Sequence, residues 1–229
     1  LDLSEHENDV HLTGNYFLNN TEKQFDAELQ INHLNMSSIE PFTTNQISDS
    51  KGSIKGNIQL SGKLKDPEWN GLMTLVDPEF RFTKFGTKYH LKQQSILFKY
   101  SDIVLNNLMI SDSLNHSMTI DGKLHSKTIS QFDLNLDVNS TNFIVVNTPK
   151  NTNDFIYGYA AVNTDIHLGG NTVAPDIDGS IHFNDETDAT VLLPEKNVSK
   201  EAARSVVRFI DRDTFDLPEK ILFVPEGPE

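Results

Sequence analysis

The chain has 229 residues, 33 acidic against 19 basic side chains, a formal net charge of −14 and a 37% hydrophobic content. That charge argues against nucleic-acid binding by phosphate neutralisation and against adsorption to an anionic bilayer surface, since both need clustered Lys and Arg. Cysteine is absent, which removes disulfides, thiolate nucleophiles and cysteine-ligated metals together but leaves the compartment open.

No apolar run approaches the length that spans a bilayer. The opening residues Leu1-Asp2-Leu3-Ser4-Glu5 carry no signal-peptide pattern, and the chain is expected to be a piece of something longer, with any targeting segment outside it. Val10 to Tyr16 alternates as a short strand, and Phe25 to Ile31 does so again; Asn19-Asn20-Thr21 between them is turn chemistry. Leu34, Met36 and Ile39 follow, then Pro41-Phe42 and an expected polar loop to Ser50.

The clearest stretch comes next. From Ile54 to Lys65, Ile54, Gly56, Ile58, Leu60, Gly62 and Leu64 share one parity, and polar residues hold the other. Side chains of a strand point alternately to its two faces, so this is a strand with one dry and one wet face. Asp66-Pro67-Glu68 is expected to break it, because proline cannot donate to a ladder, with a new strand from near Gly71. Pro78 reads as a second interruption. Phe80 and Phe82 share a face, as do Ile96, Phe98 and Tyr100, and Val104 to Ile110 is a further strand. Met118, Ile120, Gly122 and Leu124 form one dry row, and Phe132, Leu134, Leu136 and Val138 another. After Phe183 the pattern changes: Asn184 to Asp188 is acidic and turn-like, Val191 to Leu193 is a short apolar run ended by Pro194, and Ser199 to Arg212 predicts a helix. Its N-cap is Ser199, and Ala203, Val206, Val207 and Ile210 fall at helical spacing. Pro218, Pro225 and Pro228 mark an extended tail.

The organising stretch recurs. Ile58, Leu60, Gly62, Pro67 and Gly71 are matched by Ile166, Leu168, Gly170, Pro175 and Gly179, each pair 108 residues apart. Val10 to Gly14 matches Met118 to Gly122 at the same offset, and Phe25-Asp26 matches Phe132-Asp133 with one residue slipped. A long internal repeat outweighs local propensity in assigning a fold. About two copies are expected in a segment covering 1–190, at approximately 8–110 and 116–190 with the second incomplete, followed by a helix-containing segment and tail at 191–229.

Catalytic chemistry finds no support. There is no nucleophile elbow, glycine-rich phosphate loop or H-E-x-x-H motif. The eight histidines are scattered, and His11, His125, His167 and His182 occupy the polar positions of strands, where they read as solvated surface. Asp176-Ile-Asp178-Gly179 resembles the start of a calcium loop, but the later ligands do not follow and the matching Glu68-Trp69-Asn70-Gly71 lacks the aspartates; a turn leading into a strand is the better reading. No catalytic residue, metal or cofactor is expected.

The dry face must be covered by something. A β-sandwich covers it with a second sheet; a sheet that curls instead leaves a long apolar groove suited to acyl chains, each methylene of which contributes about 0.8 kcal/mol on burial. Composition alone does not choose between the two.

The pattern Gly56-Asn-Ile-Gln-Leu-Ser-Gly62, Pro67, Gly71-Leu-Met-Thr-Leu75, repeated at Ile166 to Gly170, Pro175 and Gly179 to Phe183, resembles the repeats of the TamB and AsmA-like family. The preceding Leu34 to Phe42 is similar to that family's lead-in to its glycine-rich strand, and the Asn- and Lys-rich composition resembles that of Bacteroidetes members. The likeness covers roughly residues 8 to 210. It implies an all-β, elongated, curled antiparallel sheet, a β-taco with a U-shaped groove, in a periplasmic protein anchored in the inner membrane. It implies phospholipid acyl chains as cargo between inner and outer membrane, an outer-membrane barrel of the TamA type as a partner of some members, and flanking repeats of the same chain.

The groove lining is then expected from Ile54, Ile58, Leu60, Leu64, Met73, Leu75, Ile120, Leu124, Phe132, Leu134, Leu136, Ile166, Leu168, Ile181 and Phe183. Two alternatives stand beside lipid transfer. One is assembly of outer-membrane barrels by strand addition at the sheet edge; the other is a closed sandwich acting as spacer or adhesin.

Overall fold

A computed structural model describes residues 2–3, 8–18, 23–128, 130–150 and 155–192. The helix expected over Ser199 to Arg212 and the proline-rich tail lie outside them. Thirteen strands form one antiparallel sheet: β1 (Asp2–Leu3), β2 (Asp9–Tyr16), β3 (Phe25–Asn35), β4 (Ile47–Lys63), β5 (Asp66–Phe82), β6 (Thr87–His90), β7 (Gln94–Tyr100), β8 (Asp102–Ser111), β9 (Ser117–Thr128), β10 (Gln131–Thr148), β11 (Ile156–Gly170), β12 (Pro175–Phe183) and β13 (Asp188–Val191). The all-β expectation therefore holds. Strands pair mostly with their sequence neighbours; β5 bonds both β6 and β7, β8 bonds both in turn, and β11 carries β12 and β13 on different parts of its length.

The sheet is curled. Along the ladder β5–β7–β8–β9–β10, four steps at about 4.8 Å would hold β5 and β10 roughly 19 Å apart in a flat sheet. Instead Trp69 of β5 stacks on Phe132 of β10 with ring centroids 5.9 Å apart and planes at 13°. Further along, Tyr89 of β6 stacks on Phe143 of β10 at 5.2 Å, the Tyr89 hydroxyl donates to the Ile144 carbonyl at 3.1 Å and the Thr87 hydroxyl to the Val145 carbonyl at 3.1 Å. One half of the sheet thus meets the other half.

Bulges bend it. The register slips at Ile31/Leu34 in β3, Ser48/Lys51 in β4, Leu105/Leu108 in β8 and Ser140/Phe143 in β10, and a bulge kinks its strand and raises the local twist. Asp49, Asn107 and Asn142 take left-handed φ values of 54°, 48° and 54° there, which Asn and Asp tolerate better than other side-chain-bearing residues. The backbone N–H groups freed from the ladder are met by side chains: Asn107 N donates to Asp121 Oδ2 at 2.8 Å, and Asn142 N to Asn163 Oδ1 at 2.7 Å.

Three local expectations are corrected. The organising strand ends at Lys63, with Leu64 and Lys65 in the turn, and β5 begins at Asp66 rather than near Gly71. Pro67 does not break it, because it occupies the start of a strand, where a missing N–H is tolerated; it faces Gly62, and its carbonyl accepts the Ser101 hydroxyl at 3.1 Å. Pro78 likewise sits inside β5, beside Asp77 at φ 45°, and its carbonyl accepts Leu91 N at 2.9 Å. The polar loop expected after Phe42 and up to Ser50 shrinks to Thr44 to Gln46, between a 3-10 helix, Met36–Thr43, that was not expected and β4 from Ile47. Met36 and Ile39 of that helix pack with Ile31, Ile54, Leu34 and Met73, covering the dry side of β3 and β4 at one end.

The two hairpins matched in sequence share their register. Ile58 faces Gly71, Leu60 faces Trp69 and Gly62 faces Pro67; Ile166 faces Gly179, Leu168 faces Ile177 and Gly170 faces Pro175. Gly62 and Gly170 close the first strand of each hairpin at φ 98° and 72°, a conformation that glycine adopts without a steric penalty.

Candidate functional site

The dry face runs through the sheet from β2 to β12, interrupted by Ser140 of β10 and Thr164 of β11, whose hydroxyls lie 2.9 Å apart. Ladder partners on one face are Val10 with Ile31, Leu29 with Ile58, Leu60 with Trp69, Met73 with Ile96, Phe98 with Ile103, Leu124 with Leu134, Leu136 with Leu168, and Leu168 with Ile177. Each bulge restores the parity that it interrupts, so Leu105 and Leu108 both stay on this side, opposite Gly122 and Ile120. The wet face carries Lys55, Asn57, Asp121, Lys123, Asp137 and His167.

All the expected lining residues except Leu64 fall on this face. Leu64 lies in the β4–β5 turn and is 46% exposed, because the strand ends one residue before it. Exposure varies along the face. Ile54, Ile58 and Leu136 are buried, the nine residues Leu60, Met73, Leu75, Ile120, Leu124, Phe132, Leu134, Ile166 and Leu168 are half-buried, and Ile181 and Phe183 on β12 are over half exposed. Burial is deepest where the two halves of the sheet face each other and fades on β12, all nine residues of which are exposed.

Aromatic rings mark the closest approaches. Trp69 touches both Phe132 and, edge-on at 6.4 Å and 79°, Phe98. Trp69 is 7% exposed, and its indole nitrogen is buried with no hydrogen-bond partner among the described residues. It is missed in the sequence because a strand starting near Gly71 begins five residues after Asp66, where β5 starts. Given a β5 that begins at Asp66, period two alone assigns Trp69 to the dry face.

Asp112, in the β8–β9 turn, was also missed. It is fully buried. Its Oδ1 accepts Leu114 N at 2.8 Å and His116 N at 2.9 Å; its Oδ2 accepts Ile144 N at 2.9 Å and lies 3.0 Å from His116 Nδ1. The carboxylate ties a turn to β10 beside a bulge. Its one legible signal is an Asp opening a turn, where Asx hydrogen bonds are common.

Burial pushes the Tyr89 hydroxyl up from 10.0 to about 12, and the nearby Asp112 carboxylate adds to the shift. The unfolded chain then ionises this group first as pH rises, so folding stability is intact below pH 10 and falls between pH 10 and about 12. Subtracting the alkaline unfolding profile of Tyr89→Phe from that of the parent chain is expected to leave a loss confined to that window.

The outer face is a solvated ion-pair surface. Burial tends to raise the Asp102 carboxyl, and hydrogen bonds from Lys123 at 2.9 Å and His125 at 2.7 Å override this and hold it below the usual carboxylate range. His167 meets Asp137 at 2.8 Å. Asp176 and Asp178 stand within β12, opposite Gly169 and His167, rather than in a loop that could wrap an ion. A cavity of about 590 Å³ between β4, β5 and β6 is lined by Asp49, Lys51, Glu79, Lys88 and His90 among others. Its charges are partly self-paired, Arg81 Nε with Asp49 at 2.8 Å and Lys51 with Glu79 at 3.4 Å. The chemistry that this protein offers on a large scale is therefore apolar burial along one curled face.

No helix among the described residues is long and apolar enough to cross a membrane. No curated protein and no solved structure matches the chain. A family model does: that of the TamB C-terminal domain matches residues 106–226, from β8 onward and just over half of the chain. With an all-β curled sheet on one side and that match on the other, the chain belongs to the TamB family, whose members are periplasmic components of outer-membrane biogenesis.

Proposed function

We propose that the curled sheet shields phospholipid acyl chains as they pass between inner and outer membrane. The observation that carries this reading is the largely apolar face that runs from Val10 on β2 to Phe183 on β12, interrupted by the Ser140–Thr164 pair, with Ile181 and Phe183 still 54% and 53% exposed at its end. Monomeric soluble proteins rarely leave such a face bare unless it binds something apolar. An acyl chain laid along it gains about 0.8 kcal/mol per buried methylene, and a face of Ile, Leu, Met and Phe gives no reason to prefer one lipid chain over another. No side chain acts on the cargo chemically in this reading. The segment 1–190 is a run of about two 108-residue units, with further copies flanking it in a protein anchored in the inner membrane, and a TamA-type barrel stands at the far end.

Ile181→Glu tests it. Position 181 is more than half exposed, so the charge is solvated and the sheet should melt as before. Phospholipid captured by photo-crosslinking in the periplasm is expected to fall at least tenfold. Leu60→Glu, deeper in the groove, should act the same way. Undiminished capture by both variants would remove the lipid reading.

One observation favours a second reading. β12 bonds β11 on one side and no described strand on the other, over nine residues. Such an edge is a template for strand addition, as the assembly of outer-membrane barrels requires. Capture of an unfolded barrel strand along β12, with no lipid recovered, is the outcome that would put this reading first.

A further inference from the structure

We propose that Trp69 Nε1 is a hydrogen-bond donor for the ester carbonyl of an acyl chain seated in the groove. The inference rests on the lipid reading above and adds to it a polar contact on a largely apolar face.

Trp69 stands on the dry face by register, opposite Leu60 on β4 and Tyr100 on β7. It is 93% buried, and its N–H has no acceptor among the described residues. A buried indole N–H ordinarily finds a partner, so this donor is an exception that calls for an explanation. The ring is not loosely held. Phe132 stacks against it and Phe98 meets it edge-on, and these two contacts fix where the donor lies.

The described residues supply no acceptor for it. The neighbouring polar side chains of β5, Glu68 and Asn70, alternate to the other face, and of the neighbours on its own face, Leu60, Gly71, Phe98, Tyr100 and Phe132, none accepts from the indole nitrogen. The acceptor must therefore arrive with the cargo. Its chemistry follows from the surroundings. A neutral donor among aliphatic and aromatic groups suits a neutral acceptor, because an anion buried there would lack a counter-charge. That excludes a headgroup phosphate or a free fatty-acid carboxylate and leaves the carbonyl of an ester. Since the indole nitrogen is itself covered, the carbonyl reaches it by parting Trp69 from Phe132, and loading thereby separates the two halves of the sheet at that point.

Trp69 is the one tryptophan of the chain, so its fluorescence reports this site alone. The probes are vesicles of a diacyl phosphatidylcholine, of its dialkyl ether analogue, which lacks the carbonyls, and of diacyl lipids with a nitroxide either near the carbonyl or near the chain terminus. The carbonyl-end nitroxide is expected to quench Trp69 more strongly than the terminal one. The diacyl lipid should also bind about fivefold more tightly than the ether analogue, the factor that one net hydrogen bond contributes. Trp69→Phe, which keeps an aromatic ring but removes the N–H, should abolish that preference while still binding both lipids. Equal binding of ester and ether lipids to the parent chain, or stronger quenching from the chain terminus, overturns the inference and leaves the groove reading intact. Binding of neither lipid removes both.

Discussion

Gly122→Val is expected to destabilise the sheet by about 4 kcal/mol, measured by urea unfolding followed by circular dichroism. Gly122 sits mid-strand in β9 at φ 124°, a region that side-chain-bearing residues adopt only at about 1–3 kcal/mol of strain. A Cβ there would collide with the Asn135 carbonyl oxygen of β10 and lie 3.1 Å from Leu136 Cα. Both are backbone atoms, which cannot swing aside as a side chain does, so the overlap adds about 1–3 kcal/mol more. Gly169→Ala is the matched control. Its nearest neighbour to a new Cβ is 3.8 Å away, so its stability should stay within about 0.5 kcal/mol of the parent chain, as for an ordinary surface change. If the two variants unfold together, the close backbone approach at β9–β10 is not what glycine serves.

Asp112→Ala should cost about 3 kcal/mol. The carboxylate accepts from three backbone N–H groups and faces His116. Its removal leaves the buried Ile144 N–H without a partner and strips two side-chain acceptor bonds from a turn that keeps its backbone bonds, Asp112 N to the His116 carbonyl and Asn115 N to the Asp112 carbonyl; each unsatisfied buried group costs about 1–3 kcal/mol. Asp112→Asn should lose less. One amide oxygen still accepts from Leu114 and His116, while the amide nitrogen confronts the Ile144 N–H. Equal losses in the two variants would mean that the site tolerates a donor where Ile144 needs an acceptor.

Much of the sheet was legible because strand parity is a local property. Ile54 to Lys63 shows its dry face in ten residues, and the partners across each hairpin follow once one pair is known. The repeat extended this by carrying the Gly71 pattern to Gly179. Curvature was not legible. Parity says which side a residue faces, not how sharply the sheet turns, and the contact of Trp69 with Phe132 joins residues far apart in sequence through the summed bend of four strand-to-strand steps. Trp69 itself was lost for a smaller reason, a proline taken as a break when it stood at a permitted strand start. Asp112 and the 3-10 helix at Met36–Thr43 escaped because each is specified by contacts with distant strands rather than by a periodic pattern.

The bulges carry one more consequence. The groups that set them, Asn107 with Asp121 and Asn142 with Asn163, are exposed. Under the proposed lipid reading, the radius of the trough is thus written on its outside, while its affinity for hydrocarbon is written on its inside. Mutation can change the two independently: aliphatic positions are free to drift in size to suit a different cargo without unbending the wall, and an altered asparagine outside can widen or narrow the passage with every lining residue in place.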